Sequence, residues 1–193
     1  MQDFTFYFKL GWQHIISWDA LDHILFIIAL SAIYLLSNWR QVLVLVTAFT
    51  IGHSLTLALS VYEVIAIKDS WVEFLIPCTI MVTALFNFMQ KDFTPKSLRV
   101  NYFLALFFGL IHGLGFANTI RFMLAKNQGI GRSLFGFNVG VEAGQIFVVT
   151  GILFLSFLLV EKGKLQRKWW VWALSGVAFC IALKIVVERM PIP

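Results

Sequence analysis

His14, Asp19, Asp22, His23, His53, Glu73, His112 and Glu142 are the side chains of this sequence best suited to hold a metal ion, and each adjoins or interrupts an apolar stretch. Imidazole and carboxylate together suit borderline divalent cations such as Ni²⁺, Co²⁺ or Zn²⁺. An all-oxygen set would suit Mg²⁺ or Ca²⁺, and a thiolate-rich one Cu⁺ or an iron–sulfur cluster. Cys78 and Cys180 lie inside apolar runs with no histidine beside them, so neither a thiolate site nor a disulfide framework is implied. The sequence has no H-E-x-x-H, no G-x-S-x-G and no P-loop or dinucleotide glycine signature. The expected chemistry is metal handling without covalent catalysis.

Spacing groups these residues. Asp19, Asp22 and His23 stand at i, i+3 and i+4, one face of a helix. Asn138, Glu142 and Gln145 stand at i, i+4 and i+7, a polar stripe on an otherwise apolar cylinder. Thr50 and Thr56 flank His53 three residues to either side. Each residue also has a plainer role open to it. His53 could bond a neighbouring helix, Asp22 could complement a helix dipole, and Glu142 could be structurally paired. His14 is the weakest candidate, because an interfacial segment would leave it facing water. Lys184 and Glu188, at i and i+4, read as a surface pair.

The elements that position these groups follow from composition. The 193 residues are 60% hydrophobic, 16% aromatic and 13% charged, with a mean hydropathy of +0.84. Soluble domains carry about 25% charged residues, so a soluble enzyme, a disordered chain and a coiled coil are excluded. The net charge of +5 does not indicate nucleic acid, because the basic residues lie between long apolar runs. A helix needs about 20 apolar residues to cross a bilayer, and six segments qualify: 20–38, 41–62, 70–90, 100–120, 133–160 and 168–188. The expected fold is all-α: residues 1–193 form a single transmembrane domain, a six-transmembrane-helix bundle with an N-terminal interfacial segment. Aromatic residues from Phe4 to Trp18, broken by Asp3, Lys9 and Gln13, suggest that this segment lies in the outer interface. Glycine rows at Gly136, Gly140 and Gly144, and at Gly109 and Gly113 with Ala117, predict close helix packing.

Lys and Arg are densest after spans 1, 3 and 5, at Arg40, Lys91, Lys96, Arg99, Lys162, Lys164, Arg167 and Lys168. Those loops are expected to face the cytoplasm and both termini the outside. At about 1.5 Å per residue, His53, His112 and Glu142 then lie roughly 12–14 Å below the external surface. The polar set reads as a funnel open to the outside.

Four blocks resemble the HupE/UreJ family of membrane proteins. They are Gly11-Trp12-Gln13-His14 through Asp22-His23-Ile24-Leu25-Phe26, Thr47 through Leu57 around Ile51-Gly52-His53-Ser54-Leu55, Phe108 through Ala117 around Ile111-His112-Gly113-Leu114-Gly115, and Phe137-Asn138-Val139-Gly140-Val141-Glu142-Ala143-Gly144-Gln145. In order, they extend over most of the chain. The resemblance implies a six-helix nickel or cobalt permease of the bacterial inner membrane. It gives His14, Asp22, His23, His53, Glu73, His112 and Glu142 metal roles. This chain departs from the family pattern in having His14 eight residues before Asp22, and Ala20 where a glycine is common.

The leading expectation is a secondary uptake permease for Ni²⁺, then Co²⁺. Asp19, Asp22 and His23 capture the ion and His53, His112 and Glu142 bind it near the midplane. Glu73 is a ligand or an acceptor orienting an imidazole, with Thr50, Asn138 and Gln145 in support. Two charges moving down 100 mV gain about 4.6 kcal/mol, so no ATP motif is needed. Neutral imidazole is the binding form, so uptake is expected to weaken as external pH falls through about 6. The lipid bilayer and the metal ion are the expected partners; a homo-oligomer and nickel-enzyme maturation proteins are compatible with the reading. The alternatives are a metal-binding or metal-delivery membrane module that does not transport, and a zinc-dependent intramembrane hydrolase with an open metal position.

Overall fold

A computed structural model of the chain describes residues 2–17, 20–90, 95–124 and 129–191. Asp19 and Trp18 lie outside them. The described residues are helical, with no strand. The helices are α1 (Gln2–Ile16), α2 (Leu21–Ser31), α3 (Trp39–Val61), α4 (Asp69–Met89), α5 (Pro95–Gly115), α6 (Ala117–Leu124), α7 (Ile130–Ser156) and α8 (Arg167–Glu188). A 3₁₀ turn at Leu36–Asn38 leads into α3, and a π-helical stretch at Phe157–Lys162 extends α7.

Among the described residues, four stretches are long and apolar enough to cross a bilayer: Leu36–Val61, Asp69–Met89, Ile130–Lys162 and Arg167–Glu188. Residues Phe4–Ile16 and Leu21–Ser31 pass the same test only together, as one span bent by 68°. Within α5 the apolar part is Asn101–Gly115, shorter than a full crossing. The chain is an integral membrane protein of packed helices.

Glycine decides which helices pair. A Cβ added at Gly52 or Gly109 would strike the α5 or α3 backbone at Leu106 or Phe49, and one at Gly113 would strike His53 O. Rising numbers meet rising numbers, so α3 and α5 run parallel with their backbones in contact. By the same test Gly11 abuts Phe137 and Val141, Gly140 abuts Phe8 and Trp12, and Gly144 abuts Ile15. Thus α1 runs parallel to α7 along its length. Small residues allow this approach, and packing is the main attraction between helices in lipid. α4 pairs with α8, with the Phe88 and Trp172 rings 6.3 Å apart.

Three expectations change here. The N-terminal segment does not lie in the outer interface but is a bundle helix: Tyr7 and Ile15 are buried, and Trp12 lies against Phe147 at 5.4 Å. Its aromatic residues and Gly11 match the glycine row of α7, a pairing that hydropathy along one segment does not reveal. The helix expected at 20–38 stops at Ser31, because the apolar run reports burial rather than helix: Ala32, Ile33 and Tyr34 are buried in irregular backbone. Carbonyls there still need partners in a membrane. The Arg167 guanidinium donates to Ile33 O, and Asn87 Nδ2 donates to Ala29 O at 2.7 Å and to Ser175 Oγ at 3.0 Å. The predicted span at 100–120 is divided at Phe116 between α5 and α6.

Candidate metal centre

Histidines from three elements converge. His14 comes from the last turn of α1, His23 from the first turn of α2 and His53 from the middle of α3, and one nitrogen of each lies within 4.8 Å of the others. For three atoms so spaced there is a point no more than about 2.8 Å from every one of them. A ring movement of roughly 0.7 Å or less brings each to the 2.0–2.1 Å of an imidazole–metal bond. His112 of α5 stands behind His23, with ring centroids 5.0 Å apart. His53 and His112 are wholly buried and His23 is 6% exposed.

Buried polar atoms are nearly always hydrogen-bonded. Yet Nε2 of His14, His23 and His53 and Nδ1 of His112 are buried without a hydrogen-bond partner. Together these nitrogens make a donor set that could hold a cation.

The neighbours set the tautomers of two of these rings. Asn138 Nδ2 donates to Leu134 O at 2.9 Å, which fixes the amide so that Oδ1 faces His53 Nδ1 at 3.4 Å. Nδ1–H then donates, and the Nε2 lone pair is left for a metal. Thr79 Oγ1 donates to Ile76 O at 2.7 Å, so at 3.0 Å it accepts from His112 Nε2–H. That leaves the Nδ1 lone pair of His112 free. A second nitrogen held by a fixed acceptor is the usual support of a metal-binding histidine.

Aromatic rings flank the centre. Phe116 lies 4.1 Å from the His14 ring and stacks on Phe137 at 5.2 Å and 8°, while Phe49 is 5.2 Å from His112 and Phe26 5.1 Å. On one side a cavity of about 620 Å³ reaches His14, His23 and His112; Gln13, Asp22, Glu73 and Arg189 also line it. This vestibule opens near the start of α4 and the end of α8.

The acidic candidates are placed apart from the three meeting nitrogens. Asp22 lines the vestibule and accepts a charged hydrogen bond from Arg189 Nη1 at 2.8 Å. Glu73 is exposed on the vestibule wall. Glu142, on α7, accepts from Thr47 Oγ1 at 2.7 Å, and Gln145 accepts from Thr50 Oγ1 at 3.0 Å. Lys184 and Glu188 form an exposed pair at 3.6 Å. Asp69 accepts from Asn118 Nδ2 at 2.7 Å on both oxygens.

Sequence reasoning missed Thr79, Thr47, Phe116 and Arg189. A threonine in an apolar helix usually bonds its own preceding turn and so gives no signal.

Comparison with curated proteins and with solved structures gives no match. Residues 1–189 match the HupE / UreJ protein family. With nearly its whole length covered, including every histidine of the cluster, the chain belongs to that family.

Proposed function

We propose that the chain is a secondary uptake permease for a divalent transition metal, nickel first and cobalt second. The observation that carries this is the meeting of His14, His23 and His53 nitrogens within 4.8 Å, with their Nε2 atoms unpaired inside an apolar bundle. The family's association with nickel and cobalt transport supports it. The donor set supports it too: three imidazoles with a fourth beside them suit borderline cations better than Mg²⁺ or Ca²⁺.

In this reading the hydrated ion enters the vestibule from the outside of a bacterial inner membrane, drawn by Glu73 and Asp22. It exchanges water for the imidazoles of His14, His23 and His53, with His112 as a fourth donor after a ring shift. The membrane potential supplies the driving force, about 4.6 kcal/mol for two charges across 100 mV. Asn138 and Thr79 hold ring orientation without touching the ion.

The test is nickel accumulation by cells, and by proteoliposomes, containing wild-type, His23→Ala and His53→Ala protein at equal membrane levels. Each variant is expected to lose at least tenfold in uptake and in nickel bound by the purified protein. Wild-type protein that binds nickel but moves none would leave a metal-holding module instead.

A further inference from the structure

α3 and α5 are locked by glycine, and so are α1 and α7. Where the two pairs face each other along α3 and α7, the contacts are of another kind. Three side-chain hydrogen bonds cross this seam, His53–Asn138, Thr50–Gln145 and Thr47–Glu142, and on α7 Glu142 stands one turn beyond Asn138, ahead of Gln145. Thr50 and Gln145 are buried, whereas Thr47 is exposed and Glu142 half-buried. Thr47 precedes His53 by six residues on α3, about 9 Å along the axis. It is displaced toward the Trp39 end, whereas the vestibule lies toward the opposite end.

The metal centre straddles these two pairs, with His14 on one and His53 on the other. From the vestibule side the lining includes His14, His23 and His112 and stops short of His53. Among the described residues two polar tracks lead on from the histidines: Thr79, Thr83 and Asn87 on α4, all uncharged, and the α3/α7 seam, which carries a carboxylate, Glu142.

We propose that the α3/α7 seam is the exit route: in turnover the α3/α5 pair parts from the α1/α7 pair along it, and Glu142 takes the dication over from His53. The proposal rests on the transport reading above. Hydrogen bonds between membrane helices average well under 2 kcal/mol and can be exchanged for water or a cation. The backbone contacts at the glycines have no such substitute. Rocking of one helix group against another around a fixed site is an established way of alternating access. A single carboxylate also holds nickel less tightly than three imidazoles, so the second station favours release.

E142Q tests this directly, because it removes the charge while keeping the oxygen that Thr47 bonds. Nickel binding by the purified protein and nickel uptake by proteoliposomes are measured together. Binding within twofold of wild type, with uptake at least tenfold lower and partly restored in E142D, is the expected result. Uptake unchanged, or binding lost in proportion to uptake, overturns the exit role. A second test places T50C and Q145C in a C78S/C180S chain. Oxidation should reduce uptake at least tenfold while nickel stays bound, and reduction should restore it; undiminished uptake with the cross-link formed overturns the opening. Should the reduced pair itself be inert, T50C alone is treated with a hydrophilic thiol reagent. It should react during nickel uptake, and protection throughout turnover overturns the proposal. A wild-type chain that moves no nickel removes the transport reading, and this proposal with it; that outcome is read on the unmodified chain before any variant.

Discussion

A buried imidazole nitrogen with no hydrogen-bond partner is costly, and this bundle holds four of them in one cluster. The cost is tolerable where a cation takes the lone pairs, and the supports at Asn138 and Thr79 leave them pointing that way. Removing a support therefore acts on metal affinity through ring orientation. Asn138→Ala and Thr79→Val are expected to weaken nickel binding about 10- to 100-fold, measured by titration calorimetry on detergent-solubilised protein. Much of this was legible in the sequence. His23, His53 and Asn138 were singled out by their type inside apolar runs, and all belong to the centre. His14, read as the weakest candidate, is one of the three meeting imidazoles, because α1 packs into the bundle. Spacing along one helix shows which residues share a face but not which other helix that face meets. Asp22 and Glu142 were for that reason grouped with the imidazoles, whereas the structure gives them Arg189 and Thr47.

Helices here are matched by what they lack. The glycine rows of α5 and α7 were legible as packing surfaces, and the structure supplies their partners, α3 and α1. A large side chain in such a row has nowhere to go. Gly109→Leu would drive Cβ into the Phe49 backbone, and the expected loss is at least the 1–3 kcal/mol of an overpacked core. Thermal unfolding in detergent should show it as a lowered transition temperature, with Gly176→Leu, at a position open on α8, as the control with little change. The element boundaries were less legible. Hydropathy marked 20–38 as a single span because lipid-facing and core-facing residues are equally apolar, so a buried non-helical turn at Ala32–Tyr34 reads like more helix. The division at Phe116 was equally hidden, since the residue that ends α5 also walls the metal centre.

The molecule as a whole presents a charged mouth on one side of the histidine centre and a polar seam on the other. At the mouth, Arg189 from the end of α8 occupies the carboxylate that would otherwise greet a cation. Arg189→Gln removes a positive charge and frees Asp22. Two unit charges 4 Å apart in water interact by about 1 kcal/mol, and the pair is partly exposed, so the gain is small. We expect KM for nickel uptake to fall by up to about fivefold at low salt and by less at high salt, with the maximal rate unchanged. Uptake kinetics at two ionic strengths measure both. The parallel docking of α1 on α7 has a further consequence, for biosynthesis. A ribosome delivers Gly11 long before Phe137 and Val141, the groove it fits. At about 5–20 residues per second the first helix waits on the order of ten seconds for its seat. Until then α1 lacks the groove that seats it, so His14 is held against His23 and His53 only once α7 is threaded into the membrane.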